Sequence, residues 1–177
     1  NQAYEFFWKS FCAYYLELVK PVLFGKTGSP NLRKNKQKIL AIGLCSIVRL
    51  LHPMAPFITE ELFSLLKAQF EKASRTEKQD FYTQDFIEAL NAPCCSVSLY
   101  PKAHIQDMDE AIEKQFSFIE QIVYAVRNIR AEMKLPPNIK TDLFIIGEKN
   151  TTKIIKANDS FLHALLKIES LQFKESS

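Results

Sequence analysis

The sequence predicts a mainly α protein, an antiparallel helical bundle followed by a small strand–helix–strand appendage. Three observations predict it. Apolar residues recur three and four apart through residues 2–20, 31–52, 57–70 and 107–134, the period of helices that each bury one face. Pro53 and Pro56 stand between the second and third of these runs, where they bias the chain out of α and force a short corner. Beyond residue 137 the periodicity gives way to the brief apolar run Leu143–Ile146 before Gly147, bounded like a buried strand. The bundle is expected over 1–137, with an irregular insertion at about 71–106, and the α/β part over 138–177.

The first helix carries an aromatic-rich stripe of Tyr4, Phe7, Trp8, Phe11, Tyr14, Tyr15, Leu18 and Val19, with Pro21 marking its end and Gly25 to Pro30 a loop. Core packing explains most of these rings, while one or two at the stripe's edge could stack on nucleic-acid bases. The second helix reaches its apolar face (Leu40, Leu44, Ile47, Val48, Leu51) through a basic first half of Arg33, Lys34, Lys36 and Lys38. Those cations are either a solvated face or a set of phosphate contacts. It should stop near His52. Pro56 suits the first turn of the third helix, with Thr59 as its cap or Glu60 and Glu61 near its positive end. The third helix is expected to bury Phe57, Ile58, Leu62, Leu65 and Leu66.

Glu71 to Gln79 reads as a polar surface connection, Gln84–Leu90 as a short helix stopped by Pro93, and Ser96–Tyr100 as an extended segment. The longest run, 107–134, buries Ile112, Phe116, Ile119, Val123, Val126, Ile129 and Met133. Asp107, Asp109 and Glu110 favour its start and Arg127, Arg130 and Lys134 its end; Pro136-Pro137 terminates it. A further helix over 151–166 and a second strand over Ile168–Phe173, lying beside the first, complete the appendage.

Composition excludes several classes of function. With 47% apolar and 24% charged residues the chain is an ordinary globular protein. Its net charge of +3 permits a polyanionic partner without demanding one. Only four glycines argue against a glycine-rich phosphate loop. Cys12, Cys45, Cys94 and Cys95 form no C-x-x-C pair and read as free thiols of a reducing, cytoplasmic compartment. His52, His104 and His163 lack metal-ligand spacing, and no nucleophile elbow, Walker loop or zinc-protease motif occurs. No apolar run approaches the ~20 residues of a membrane span. The chain opens at Asn1-Gln2 without a signal-peptide layout and reads as a piece of something longer. Arg127 and Arg130 share a helix face; they pair with Glu60 or Glu61 of the third helix, or they clamp phosphate. No catalytic residue and no metal site are expected.

Three blocks carry a resemblance. Trp8-Lys-Ser-Phe-Cys-Ala-Tyr-Tyr-Leu-Glu-Leu-Val-Lys-Pro21 resembles the W-x-x-F-C-D-W-Y-L-E-x-x-K-P stretch of valyl-tRNA synthetases. Leu50-Leu-His-Pro-Met-Ala-Pro-Phe-Ile-Thr-Glu-Glu-Leu-Phe63 is similar to their L-L-H-P-F-M-P-F-I-T-E-E-L-W corner. Arg127-Asn-Ile-Arg-Ala-Glu-Met-Lys-Leu-Pro-Pro137 is similar to their R-N-I-R-A-E-x-x-x-P-P helix end. The order matches, and the likeness spans essentially the whole chain. Ala13 and Tyr14 stand for Asp-Trp, Met54-Ala55 for Phe-Met and Phe63 for Trp; Ala13 removes a carboxylate. Isoleucyl and leucyl enzymes share a looser form of the corner.

The resemblance implies the anticodon-binding helical bundle of a class I aminoacyl-tRNA synthetase. Its catalytic motifs, ATP and Mg lie in another domain, and a coiled-coil arm follows the α/β unit. The implied partners are a valine tRNA, gripped at its anticodon stem-loop, and the parent's own catalytic and coiled-coil domains, in a monomer. Unpaired bases stack on rings while cations meet phosphates. Helix-face reasoning beside that analogy selects Trp8, Tyr14, Tyr15 and Leu18 for bases, and Lys9, Lys20, Arg33, Lys34, Lys36 and Lys38 for the backbone. A protein-docking module that never touches RNA is the rival from a different class.

Overall fold

The computed structural model describes residues 2–70, 80–136 and 138–174, in two compact units, Asn1–His104 and Ile105–Ser177. Among the described residues of the first unit, α1 occupies residues 2–23, α2 Pro30–Leu51, α3 Pro56–Phe70 and α4 Phe81–Asn91. The second holds α5 (Glu110–Glu132), β1 (Thr141–Ile146), α6 (Lys149–Ala157), α7 (Asp159–Leu166) and β2 (Ile168–Lys174). Mainly helical architecture with a two-stranded appendage is what the periodicities predicted. The expected connection Glu71 to Gln79 and Pro137 lie outside the described residues.

Within α1, the stretch Phe6–Leu16 takes the wider i→i+5 winding between α-helical ends. Rings four apart then line up, Phe7 on Phe11 at 6.4 Å and Phe11 on Tyr15 at 5.8 Å between centroids. The helix passes through Pro21, where a stop was expected, and ends at Leu23. Pro21 lies so near the terminus that its missing amide interrupts little. Closure comes instead from Lys26 and Thr27, whose N–H groups return to the Pro21 carbonyl at 2.8 and 3.3 Å.

Two contacts set the register of α1 against α2. A Cβ at Gly43 would stand 3.0 Å from Phe11 Cε2, so glycine lets the ring lie against the α2 backbone without displacing it. At the other end Val22 and Leu32 close on Gly28, whose φ of +84° suits glycine. Phe11 is thus level with Gly43 and Val22 with Leu32, an antiparallel hairpin. Ser29 caps α2 by accepting from Leu32 N at 3.2 Å, with Pro30 in the first turn.

The core beneath this hairpin joins Ala41, Cys45 and Val48 of α2 to Phe63 of α3 and to Phe86, Ala89 and Leu90 of α4. Phe70 meets Phe86 edge to face at 5.2 Å. At the proline corner α2 stops at Leu51 and α3 starts at Pro56. The Thr59 hydroxyl donates to Ala55 O at 2.6 Å, so His52 Nδ1, at 2.8 Å, serves as donor to Thr59 Oγ1. Phe57, Ile58 and Leu65, expected inside, are exposed on this chain, and Phe63 with Thr59 takes the buried positions. Leu62 and Leu66 pack against the core as expected, though only partly buried.

Further corrections are local. The helix expected over Gln84–Leu90 starts at Phe81, because Asp80 caps it. The extended reading of Ser96–Tyr100 gives way to a 3₁₀ turn over Cys95–Val97, held by Glu60, which accepts from Cys95 N at 2.8 and 3.1 Å. Asp109 starts α5 three residues late by accepting from Ala111 N and Ile112 N. The single helix expected over 151–166 breaks at Asn158, whose side chain donates back to Ile154 O. In the second unit β1 and β2 pair in parallel, Leu143 opposite Leu171 and Ile145 opposite Phe173. Ile119, Val123, Leu162 and Ile168 are buried there.

Arg49 was not anticipated as a buried residue. Its side chain, 2% exposed, forms an ion pair with Asp85 of α4 and donates to Leu99 O at 2.9 Å, while its Nε finds no partner. A guanidinium this deep is tolerable only when paired. Asp85→Ala should therefore cost ~3–5 kcal/mol by stranding the cation. Replacing both partners together, Arg49→Met with Asp85→Leu, should cost far less. Denaturant midpoints of the single and double variants check this.

Candidate nucleic-acid interface

The α1–α2 register decides which predicted side chains share a surface. With Val22 level with Leu32, Lys20 of α1 falls beside the first turns of α2, which carry Arg33 and Lys34. Arg33 Nη1 reaches to 3.8 Å from where a Cβ on Gly25 would stand, so it lies against the loop between the helices. Trp8 and Lys9 belong to the opposite end of the hairpin, on the order of 15 Å along the α1 axis from Lys20. The expected residues therefore form two stations rather than one patch.

Acidic partners sort the cations. Lys9 pairs with Glu5 at 3.7 Å, Lys20 with Glu17, and Lys38 with Asp80 at 2.8 Å. Arg33, Lys34 and Lys36 have no acidic partner among the described residues; the first two are exposed and Lys36 is half-buried. The first turn of α2 also lacks any acid, so cations crowd the helix end that ordinarily favours negative charge. An anion docking here would meet unspent positive charge. The exposed pairs of Lys9, Lys20 and Lys38 are weak enough to be exchanged for phosphate.

The aromatic candidates sort by exposure. Trp8 is 61% exposed and open to stacking. Tyr14, Tyr15 and Leu18 are half-buried. Tyr15 stacks on Phe11, and its hydroxyl oxygen is buried without a hydrogen-bond partner, which raises its pKa through desolvation. Its environment is that of a packing residue. Phe24, which the sequence analysis did not single out, is 70% exposed at the hairpin tip. The available signal was an aromatic ring directly before Gly25 with no apolar partner at helical spacing. Arg49 left a weaker signal, a cation inside the run Ile47 to Leu51, and its partner Asp85 lies too far along the chain to be inferred.

The remaining polar candidates make bonds inside the fold. Arg130 donates to Thr141 Oγ1 at 2.8 Å and to Ile139 O at 2.6 Å, tying the end of α5 to β1. Arg127 donates to Leu165 O at 3.4 Å. Glu60 secures the turn at Cys95 as described, and Glu61 is exposed on α3.

Nothing in the described residues assembles catalytic chemistry. No group of three His, Cys, Asp or Glu could hold a metal among them, and no described helix is long and apolar enough to cross a membrane. Burial pushes the Cys45 and Cys95 thiols up to about 11, so both stay protonated and unreactive near neutrality. A cleft of about 220 Å³ lies among Phe81, Gln84, Asp85, Glu88, Leu99 and Lys102. It is smaller than typical ligand pockets of ~300–1,000 Å³, and its two carboxylates disfavour phosphate.

Comparison with known proteins matches residues 1–145 to the family described as the anticodon-binding domain of tRNA ligase. The chain is 48% identical, over 94% of its length, to a valine–tRNA ligase of Protochlamydia amoebophila, of which it covers 18%. It is 40% identical over 83% of its length to a valine–tRNA ligase of Chlamydia trachomatis serovar L2, covering 16% of it. The corresponding enzyme of Chlamydia pneumoniae is 36% identical over 96% of the chain, which covers 18% of it. The chain thus spans less than a fifth of the length of these curated relatives.

Asp80 offers a titration test of the frame behind the basic stretch. It accepts from Lys38 Nζ, from Thr83 Oγ1 at 2.7 Å and from Thr83 N at 2.9 Å, and these bonds hold its carboxyl well below the usual carboxylate range. A depressed folded pKa stabilises fully above the unfolded value of ~3.9, and the gain is lost as pH falls through the folded value. Asp80→Ala should cost ~0.5–2 kcal/mol at pH 7 through the lost cap, and Asp80→Asn less. The difference between Asp80→Asn and the unchanged chain should close as pH drops below ~4, which thermal melts from pH 7 downward will reveal.

Proposed function

The chain belongs to the anticodon-binding domain family of tRNA ligases, and on that premise we propose that it grips the anticodon stem-loop of a valine tRNA within a valine–tRNA ligase. The choice of valine rests on the likeness to valine–tRNA ligases and on the Trp8–Pro21 and Arg127–Pro137 blocks. In this reading the parent enzyme attaches valine to its tRNA with ATP and Mg in a catalytic domain outside this chain. The bundle supplies distance and orientation, holding one end of the tRNA so that the acceptor end meets the reactive centre. Residues 1–137 act as the bundle, and 138–177 begin the passage to a coiled-coil arm. The four free thiols suit a reducing cytoplasm.

One observation carries the reading: among the described residues, Arg33, Lys34 and Lys36 stand without acidic partners in the first two turns of α2. Lysine and arginine there contact phosphates, each releasing condensed counterions. Trp8 and the rims of Tyr14, Tyr15 and Leu18 are the surfaces for unpaired bases. Lys9, Lys20 and Lys38 join when phosphate outcompetes their surface carboxylates.

A protein-docking role has its own support at the proline corner, where Met54, Phe57, Ile58 and Leu65 are 62%, 92%, 58% and 55% exposed. Exposed apolar side chains clustered in this part of the sequence suit a contact with the parent's other domains. The two roles use different faces of the bundle. An isoleucyl or leucyl parent would show itself by preferring its own tRNA in competition with valine tRNA.

Salt titration of tRNA binding by the full-length ligase tests the reading. Arg33→Ala with Lys34→Ala should weaken valine tRNA binding and reduce the slope of log K against log salt by ~0.7–0.9 per lost phosphate contact, leaving Tm nearly unchanged. An unchanged slope would remove the basic stretch from the interface.

A further inference from the structure

We infer that Phe24, at the tip of the α1–α2 hairpin, is a stacking platform for an unpaired RNA base, and that the cations around it seat the adjoining phosphates. The inference rests on the proposed anticodon-loop reading and adds to it a residue and a mode of contact. Phe24 is 70% exposed, yet its backbone is firmly held. Its N–H donates to Lys20 O at 2.9 Å, Gly25 N to Val22 O at 3.1 Å and Lys26 N to Pro21 O at 2.8 Å. Gly28, pinched between Val22 and Leu32, locks the far side of the loop. The ring is therefore presented by a rigid turn, so little conformational freedom is lost when a base lies on it.

A lone exposed phenylalanine needs no explanation by itself. Its surroundings supply one here. Lys20, Lys26, Arg33 and Lys34 are grouped at this end of the hairpin by the Val22–Leu32 register, and Arg33 lies against Gly25, the residue that follows Phe24. Glu17, paired to Lys20, is the acid recorded in an ion pair with this set. An aromatic face bordered by cations fits a single-stranded polyanion, whose base offers a π face and whose backbone offers charge. An apolar protein segment would leave the cations unanswered, and duplex RNA would leave the ring unused.

Stacking and phosphate contact differ in salt dependence, and that difference is the test. The full-length ligase is titrated with valine tRNA and with its anticodon stem-loop as a short RNA hairpin, at several salt concentrations. Phe24→Ala and Phe24→Leu should each lower affinity for both RNAs by roughly 5- to 150-fold, with the salt slope unchanged. Phe24→Trp should retain affinity. Arg33→Ala and Lys34→Ala should instead flatten the slope. Unchanged affinity in Phe24→Ala, while the Arg33 and Lys34 variants still flatten the slope, would overturn the platform and leave the proposed function standing. A Phe24→Ala effect that appears as a changed slope, or Phe24→Leu matching the unchanged protein, would also overturn it. Failure of the unchanged ligase to bind the hairpin RNA would overturn both.

Discussion

The first unit depends on the place where Phe11 lies against Gly43. A side chain at residue 43 would begin 3.0 Å from the ring, tighter than nearly all such contacts, so a larger residue would require the ring to give way. The contact fixes one point of register and the Val22–Leu32 closure over Gly28 fixes a second. Two points make the hairpin a rigid lever rather than a pair of sliding rods. Everything proposed for RNA then follows from what falls on its tip and edge: Phe24 and Lys20 from α1 and its loop, Arg33 and Lys34 from α2.

The other face of α2 is held by different chemistry. Arg49 crosses to Asp85 and Leu99 under the core, and Lys38 reaches Asp80 at the start of α4. A buried guanidinium contributes less to net stability than to positional definition, because a slipped register would leave it unpaired. The cations thus divide by depth. Arg49 is committed to the fold, Lys38 is shared between the fold and solvent, and Arg33, Lys34 and Lys36 are uncommitted. A helix whose positive end is loaded with unpaired lysine and arginine surrenders some stability, which makes sense when a polyanion completes it.

Local signals made most of the fold legible. The 3.6 period located the helices, the two prolines located the corner, and the short run at Leu143 located β1. Where the reading slipped, the deciding interaction was one that a period does not encode. Asp80 and Asp109 moved helix starts by capping, Asn158 broke a helix by bonding backward, and packing against α2 and α4 buries Phe63 while Phe57 stays exposed. The candidate interface was legible by residue type but not by arrangement. The basic stretch stood out, whereas only the antiparallel register separates Trp8 from Lys20. The burial of Arg49 was not legible, because its partner Asp85 lies 36 residues away along the chain.

The central claim is that the α1–α2 hairpin meets the unpaired loop of a tRNA. Photocrosslinking addresses it most directly, with 4-thiouridine placed in the anticodon loop of valine tRNA bound to the full-length ligase and the attached peptides identified. The account predicts attachment within residues 2–36, concentrated around Phe24 and the first turns of α2. Attachment confined to residues 105–177, or loop nucleotides that react with no part of the hairpin, would contradict it.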